Sequence, residues 1–426
     1  MKVAFVTQPW DELAPPAEAG SSIAILTYQV ARRLTGVGEI TIYTKRGHSQ
    51  QKTQHDDQGI QYRRISVDVE NWLLKPFKLL DRLAIFRKPK QPFFASSLYY
   101  LGYVLQVAYD LRKQQPDIIH IHNFFQFIPV IRIFNPKAKI VLHMHCEWLT
   151  QLDPAMIERR LSKTDLVLSC SNYITEKNRH RFPQFASHCQ TLFNGVDINR
   201  FVGKNTYSAT QQNGTKRLLF AGRVSPEKGV HVLLDAFQEV VKDYPNAKLE
   251  IAGPIGLIPF EFVIPLSDDA KVSDLASFYG RKTELRRADY FSYLQAQLSS
   301  DIASRVSFLG FIPHSKLIEH YLNADIFIFP SVWNEPFGMP LVEAMASEVP
   351  TVATRGGGIT EIVDEGQTGI LVERNNAAAL AEAILSLLAD ESLRRSMGQA
   401  GRQRVLEYFS WDRVADNLLN HYTNIC

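Results

Sequence analysis

The chain has 426 residues, of which 45% are hydrophobic and 21% charged, with a net charge of +3. That length is expected to hold two or three domains with ample core, and so small a charge argues against a nucleic-acid binder. The four cysteines, Cys146, Cys170, Cys189 and Cys426, show neither CxxC nor zinc spacing; this is the reduced pattern of a cytoplasmic protein. The opening apolar run 3–6 is too short for a signal peptide, and no stretch approaches the ~18 apolar residues of a membrane span.

Residues 2–7 form an apolar run. A Pro- and Ala-rich loop follows, ending in Gly20-Ser21-Ser22, and then Ile23, Leu26, Thr27, Val30 and Leu34 recur at helical spacing. Strand, glycine-bearing loop and helix make the first unit of a doubly wound sheet. The loop is not GxGxxG, which disfavours a dinucleotide cofactor. Runs at 40–43, 60–65, 117–121, 139–144, 166–170 and 190–193 read as strands separated mostly by helical patterns, so a parallel α/β sheet is expected. Between the runs at 60–65 and 117–121, residues 70–90 interleave Trp72, Leu73, Phe77 and Leu80 with Lys75, Lys78, Arg82 and Arg87. A packed amphipathic helix is the favoured reading, with peripheral contact to an anionic membrane face as the other.

Histidines close two of these runs, as His120-Ile-His122-Asn123 and His143-Met-His145-Cys146-Glu147-Trp148. Carboxyl ends of strands line the ligand crevice of a doubly wound sheet. Alternate facing along a strand is taken to leave at most one His of each pair pointing into it. No Asp-x-Asp is present to hold a divalent ion on a diphosphate, and no metal site is expected. Asn194-Gly-Val-Asp with Phe201 reads as a strand end and turn that packs or lines the cleft.

Residues 204–215 are polar and form the linker. Beyond them a second α/β pattern starts with a strand at 217–221, the loop Gly222-Arg223-Val-Ser-Pro-Glu-Lys228-Gly229, and a helix marked by Val230, Leu233, Leu234, Phe237 and Val240. One Arg and one Lys in a strand-to-helix loop suit a diphosphate, the Arg as a planar fork and the Lys as a mobile point charge. After a strand at 248–252, residues 256–289 read as an insertion of open function and 290–300 as a helix. A strand at 306–310 then leads to Phe311-Ile-Pro-His-Ser.

A short apolar run, 326–329, leads into Pro330-Ser-Val-Trp-Asn-Glu335-Pro-Phe337-Gly338-Met339-Pro340-Leu341-Val342-Glu343-Ala-Met-Ala. Pro340 is placed at the first helical position, where its missing N–H costs nothing. Unpaired first-turn amides at the positive end of a helix dipole form an anion seat. Glu335 and Glu343 flank those amides as acceptors for hydroxyls, so a ligand with both phosphate and sugar is expected. A strand at 351–353 then meets the turn Arg355-Gly356-Gly357-Gly358, whose glycines allow close backbone approach.

The seventeen-residue phrase 330–346 resembles the signature of family 4 retaining glycosyltransferases, which have the GT-B fold. The upstream phrases 122–129 and 143–148 are similar to bacterial enzymes of the spore-coat protein type. The resemblance implies an α/β chain of two Rossmann-like doubly wound domains facing a central cleft. These are an acceptor-side domain 1–203 completed by a C-terminal helix at about 408–426, and a nucleotide-sugar domain 216–407. It implies transfer of a hexose from a UDP- or GDP-sugar to a hydroxyl of a small-molecule, lipid-linked or saccharide acceptor, with no cofactor. Gly20 and Ser21 would approach the donor, and Arg223 and Lys228 would hold its diphosphate with the amides from Phe337 and Gly338 through Met339, Leu341 and Val342. Glu335 would hold the 3-hydroxyl of the sugar and Glu343 the ribose. His145, and more weakly His122, would lie beside the transferred sugar, and the backbone at Phe311 would meet the base. A nucleotide-sugar epimerase of similar fold and a non-catalytic binder are the alternatives.

Overall fold

The computed structural model describes residues 1–15, 21–47, 50–68, 70, 90–201, 214–279 and 287–426. Gly20, most of the amphipathic stretch 70–90 and most of the linker 204–215 lie outside them. The chain forms two compact units, Met1–Asn194 with Trp411–Cys426, and Gly195–Ser410. The division falls at Asn194/Gly195, ahead of the polar stretch.

Unit 1 is an eight-stranded sheet of β1 (Lys2–Val6), β2 (Glu39–Lys45), β3 (Thr53–His55), β4 (Gln61–Ile65), β5 (Ile118–His122), β6 (Lys139–Met144), β7 (Leu166–Ser169) and β8 (Cys189–Thr191), in the order β3-β4-β2-β1-β5-β6-β7-β8. Every pairing is parallel except the edge hairpin β3–β4. Central strands of such sheets are covered on both faces, which is why they read as continuous apolar runs; all five residues of β5 are buried. β3, by contrast, is exposed along its length, and its Thr-Gln-His gives no pattern to read. Chain order reverses between β1 and β5, so their carboxyl ends flank the crevice of this sheet.

The helix Ser22–Leu34 follows β1, capped by Ser21, whose Oγ accepts from the Ala24 amide at 3.2 Å. The C-terminal helix Trp411–Ile425 belongs to unit 1 and is tied to it by Arg33 on Asp412 (2.6 Å) and by Tyr422.

Unit 2 has a six-stranded parallel sheet of β9 (Arg217–Ala221), β10 (Lys248–Ala252), β11 (Val306–Gly310), β12 (Ile326–Phe329), β13 (Thr351–Thr354) and β14 (Gly369–Val372), in the order β11-β10-β9-β12-β13-β14. Order reverses between β9 and β12. The core joins Phe220, Leu233, Phe237, Ile251, Ile328, Leu380 and Ile384. The described part of the segment between β10 and β11 buries Val263, Leu266, Val272 and Leu275, each at most 4% exposed. The helix expected at 290–300 runs instead over Arg287–Ala296, with a second short one at Ser300–Ala303.

Candidate active site

In unit 2 the loops after β9 and β12 meet at the switch point. Gly229 closes the turn Pro226–Lys228 with φ 71°, and a Cβ there would sit 2.0 Å from the Pro330 carbonyl oxygen. Only glycine lets the two loops approach so closely. Lys228 Nζ then donates to both carboxylate oxygens of Glu335, at 2.7 and 2.9 Å. It lies over the rings of Phe329 and Trp333, and the Ser331 hydroxyl also contacts Glu335. Glu335 is 3% exposed. A carboxylate this deep has its desolvation offset by the cation and the hydroxyl that hold it. Its backbone is pinned by the glycine turn: Gly358 N–H donates to its carbonyl at 2.8 Å, and a Cβ on Gly357 would come within 2.2 Å of that oxygen.

Arg223, with its side chain 41% exposed, stands on the same loop as Lys228. Beneath it Glu227 is fully buried, accepting from Ser225 (2.6 Å) and from Tyr279 of the insertion (3.2 Å). Burial and this carboxylate push the Tyr279 hydroxyl far above its usual range, so it stays a donor. A second strut from the insertion is Asp269, which accepts from Arg374 (2.6 Å) and Asn334 (3.1 Å), while Arg374 also donates to the Val332 carbonyl (3.0 Å). The insertion thus braces the loop that carries Glu335.

The helix Met339–Ala346 begins at Met339, so Pro340 is its second residue and not its first. Pro340 has no N–H, and the Leu341 amide is turned onto the Gly338 carbonyl at 3.0 Å. The anion seat expected over 338–342 is narrowed accordingly. Val342 and Phe337 are buried. Glu343 accepts from the Tyr321 hydroxyl at 2.8 Å and has His314 Nε2 at 2.8 Å from its other oxygen. Phe311, at the end of β11, is 62% exposed.

In unit 1 the histidines do not divide between faces. His120 and His122 are two apart on one strand and therefore share a face, and β5 pairs His122 with His143 on β6. The expectation that each pair splits is corrected by that period. His120, His122, His143 and His145 form one stack, with neighbouring ring centroids 4.1–5.4 Å apart. His122, expected as a cleft residue, is fully buried; His145 is half-buried. Burial holds His120 and His145 down to about 3 and His122 and His143 well below their usual range, so all four are neutral.

The His145 amide donates to Asn123 Oδ1 at 2.7 Å; Asn123 donates to Gln8, and Gln8 to the buried Asp11. His120, His122 and His143 each offer a nitrogen within 4.8 Å of the others. Yet His120 Nδ1 is committed to Tyr422, its Nε2 to His143 Nδ1, and both nitrogens of His122 to Thr27 and His145. Only His143 Nε2 is left over, a poor fit to a bound metal ion. Ser21 is exposed, and Asn194 is buried with its Oδ1 unpaired.

Sequence reasoning brings Lys228 and Glu335 to one place but misses Ser331, Glu227, Tyr321, Asp269 and Arg374. Ser331 stands inside the same phrase as Glu335. Glu227 stands beside Lys228, while Tyr321, Asp269 and Arg374 meet the site through contacts up to 105 residues apart in the chain.

Comparison with known proteins agrees with this architecture. The model for glycosyl transferases group 1 matches residues 205–404, and that for Glycosyltransferase Family 4 matches residues 23–200. With both units accounted for, the chain belongs to the GT-B glycosyltransferases. It is 26% identical over 329 residues to spore coat protein SA of Bacillus subtilis, covering 74% of this chain and 80% of that one. Among solved structures, sucrose-phosphate synthase from Thermosynechococcus elongatus superimposes with a TM-score of 0.74 at 20% identity, covering 100% and 99% of the two chains. Anabaena HepE in complex with UDP and glucose gives 0.66 at 18%, covering 99% of each.

Proposed function

We propose that the chain moves a hexose from a nucleotide-diphosphate sugar, UDP- or GDP-linked, to an acceptor hydroxyl with retention of the anomeric configuration and without a metal or cofactor. The observation that carries this is the Lys228–Glu335 contact at the switch point of unit 2, where a cation and a carboxylate are held side by side. Lys228 has a third N–H beyond the two given to Glu335, and Arg223 presents a fork on the same loop. Together they take the diphosphate and stabilise the charge that grows on it as the sugar leaves. Glu335 keeps free lone pairs for a sugar hydroxyl, and Glu343, oriented by Tyr321 and His314, takes the ribose hydroxyls. A phosphate oxygen of the leaving group receives the acceptor's proton. HepE, solved with UDP and glucose, supports the donor class. The acceptor is a small molecule, saccharide or lipid-linked sugar met in the cytoplasm or at the inner membrane face; among the described residues no helix is long and apolar enough to cross a membrane.

The test is turnover or slow donor hydrolysis across UDP-, GDP- and ADP-sugars. A charge-assisted hydrogen bond is worth ~1.5–3 kcal/mol, so Glu335→Ala should lower kcat/KM by about one to two orders of magnitude. Equal turnover by the variant removes the role given to Glu335.

A further inference from the structure

Two of the unit 1 histidines lie on a hydrogen-bond chain whose direction is set at one end. Thr27 is fully buried on the helix Ser22–Leu34, with its Oγ1 2.7 Å from the Ile23 carbonyl one turn back. A carbonyl only accepts, so the single hydroxyl proton is spent there. The same Oγ1 is 3.1 Å from His122 Nε2. Toward that nitrogen the hydroxyl can only accept, so His122 carries its hydrogen on Nε2. A neutral imidazole has one N–H, which leaves His122 Nδ1 bare. Nδ1 is 3.0 Å from His145 Nε2. Two bare nitrogens do not bond, so His145 Nε2 carries the hydrogen and its Nδ1 is the acceptor. Among the described residues Nδ1 of His145 has no partner.

We infer that Thr27 and His122 are positioning residues that lock His145 as its Nε2–H tautomer and present Nδ1 to a sugar hydroxyl. The sugar half of this rests on the proposed function; the tautomer half does not. Burial keeps both rings neutral, which the directional argument requires. The backbone of His145 is fixed independently through Asn123, so ring and main chain are both set before any ligand arrives. A group meeting Nδ1 must bring a proton: a hydroxyl satisfies it, whereas a bare phosphate oxygen would set lone pair against lone pair. This distinguishes the His145 position from the cationic loop of unit 2.

The experiment is a two-bond proton–nitrogen correlation spectrum of the whole chain labelled with 15N-histidine, near neutral pH. His122→Gln and His145→Gln variants assign the two signals. Both histidines are expected as Nε2–H tautomers. Thr27→Val should shift both toward mixed tautomers, and Thr27→Ser should restore the wild-type pattern. Thr27→Val should also lower donor turnover about tenfold, the size of one neutral hydrogen bond. A wild-type His145 protonated on Nδ1, or spectra that Thr27→Val leaves unchanged, overturns the relay. So does perturbation of either signal by one equivalent of zinc, which would assign these nitrogens to a metal. Tautomers as stated with no turnover of any nucleotide sugar would support the relay and overturn the functional reading.

Discussion

The two units place opposite chemistry at equivalent points of similar sheets. Where chain order reverses in unit 2, the loops carry charge: Arg223, Lys228, Glu227 and Glu335, nearly all of it paired. Where it reverses in unit 1, the strand end carries a stack of imidazoles that burial keeps neutral. The difference teaches that one fold edge can be furnished with paired charges or with neutral rings by the residues set at the end of each strand. A buried ion pair is strong only while complete, and a neutral stack is stable only while unprotonated. Each unit therefore has its own way of failing.

The largest effect is expected from Lys228→Ala. Removing one partner of a buried pair costs ~3–5 kcal/mol because the other charge is left uncompensated. Urea unfolding should show that loss, and Lys228→Ala/Glu335→Ala should recover part of it. A single variant as stable as wild type would mean the pair is solvated and the contrast with unit 1 is false.

Acid should break unit 1. The folded-state pKa values of His120, His122, His143 and His145 lie below the ordinary value near 6.5. Below that value the unfolded chain binds protons that the folded one refuses. Stability is therefore complete above about pH 7 and declines as pH falls through 6.5, by up to about 1.4 kcal/mol per pH unit for each histidine. In unit 2, His231 is held down to about 4 by burial. Proteolysis in urea at neutral and mildly acid pH should show cuts in unit 1 appearing first; simultaneous cuts in both units would contradict this.

A smaller effect is expected from Asp269→Ala, which frees Arg374 and Asn334 from the insertion. Losing that brace should lower kcat about tenfold with little change in donor KM, as expected for a misaligned Glu335. A change confined to KM would assign the segment to binding instead.

Legibility in the sequence divides along the same lines. Strands such as β6, β9 and β12 declare themselves as mostly apolar runs, because strands covered on both faces leave little room for polar residues. β3, polar and exposed, cannot. β14 is a readable run, Gly369-Ile-Leu-Val, that goes unrecognised; its glycine is required by Thr351 on the neighbouring strand. Lys228 and Glu335 are legible because each sits in a local phrase with its own turn chemistry. Their neighbours Tyr321, Asp269 and Arg374 carry no local signal, since only tertiary register brings them in. The histidines are visible but their facing is misread: a spacing of two keeps side chains on one face, and the pairing of His122 with His143 is fixed by strand register.

The most direct measurement is the structure of the chain with UDP or GDP bound. The account predicts diphosphate density within hydrogen-bond reach of Arg223 and Lys228 at the start of the helix Met339–Ala346, with ribose against Glu343. Nucleotide bound elsewhere, or Glu335 and Glu343 turned away from it, would contradict the account.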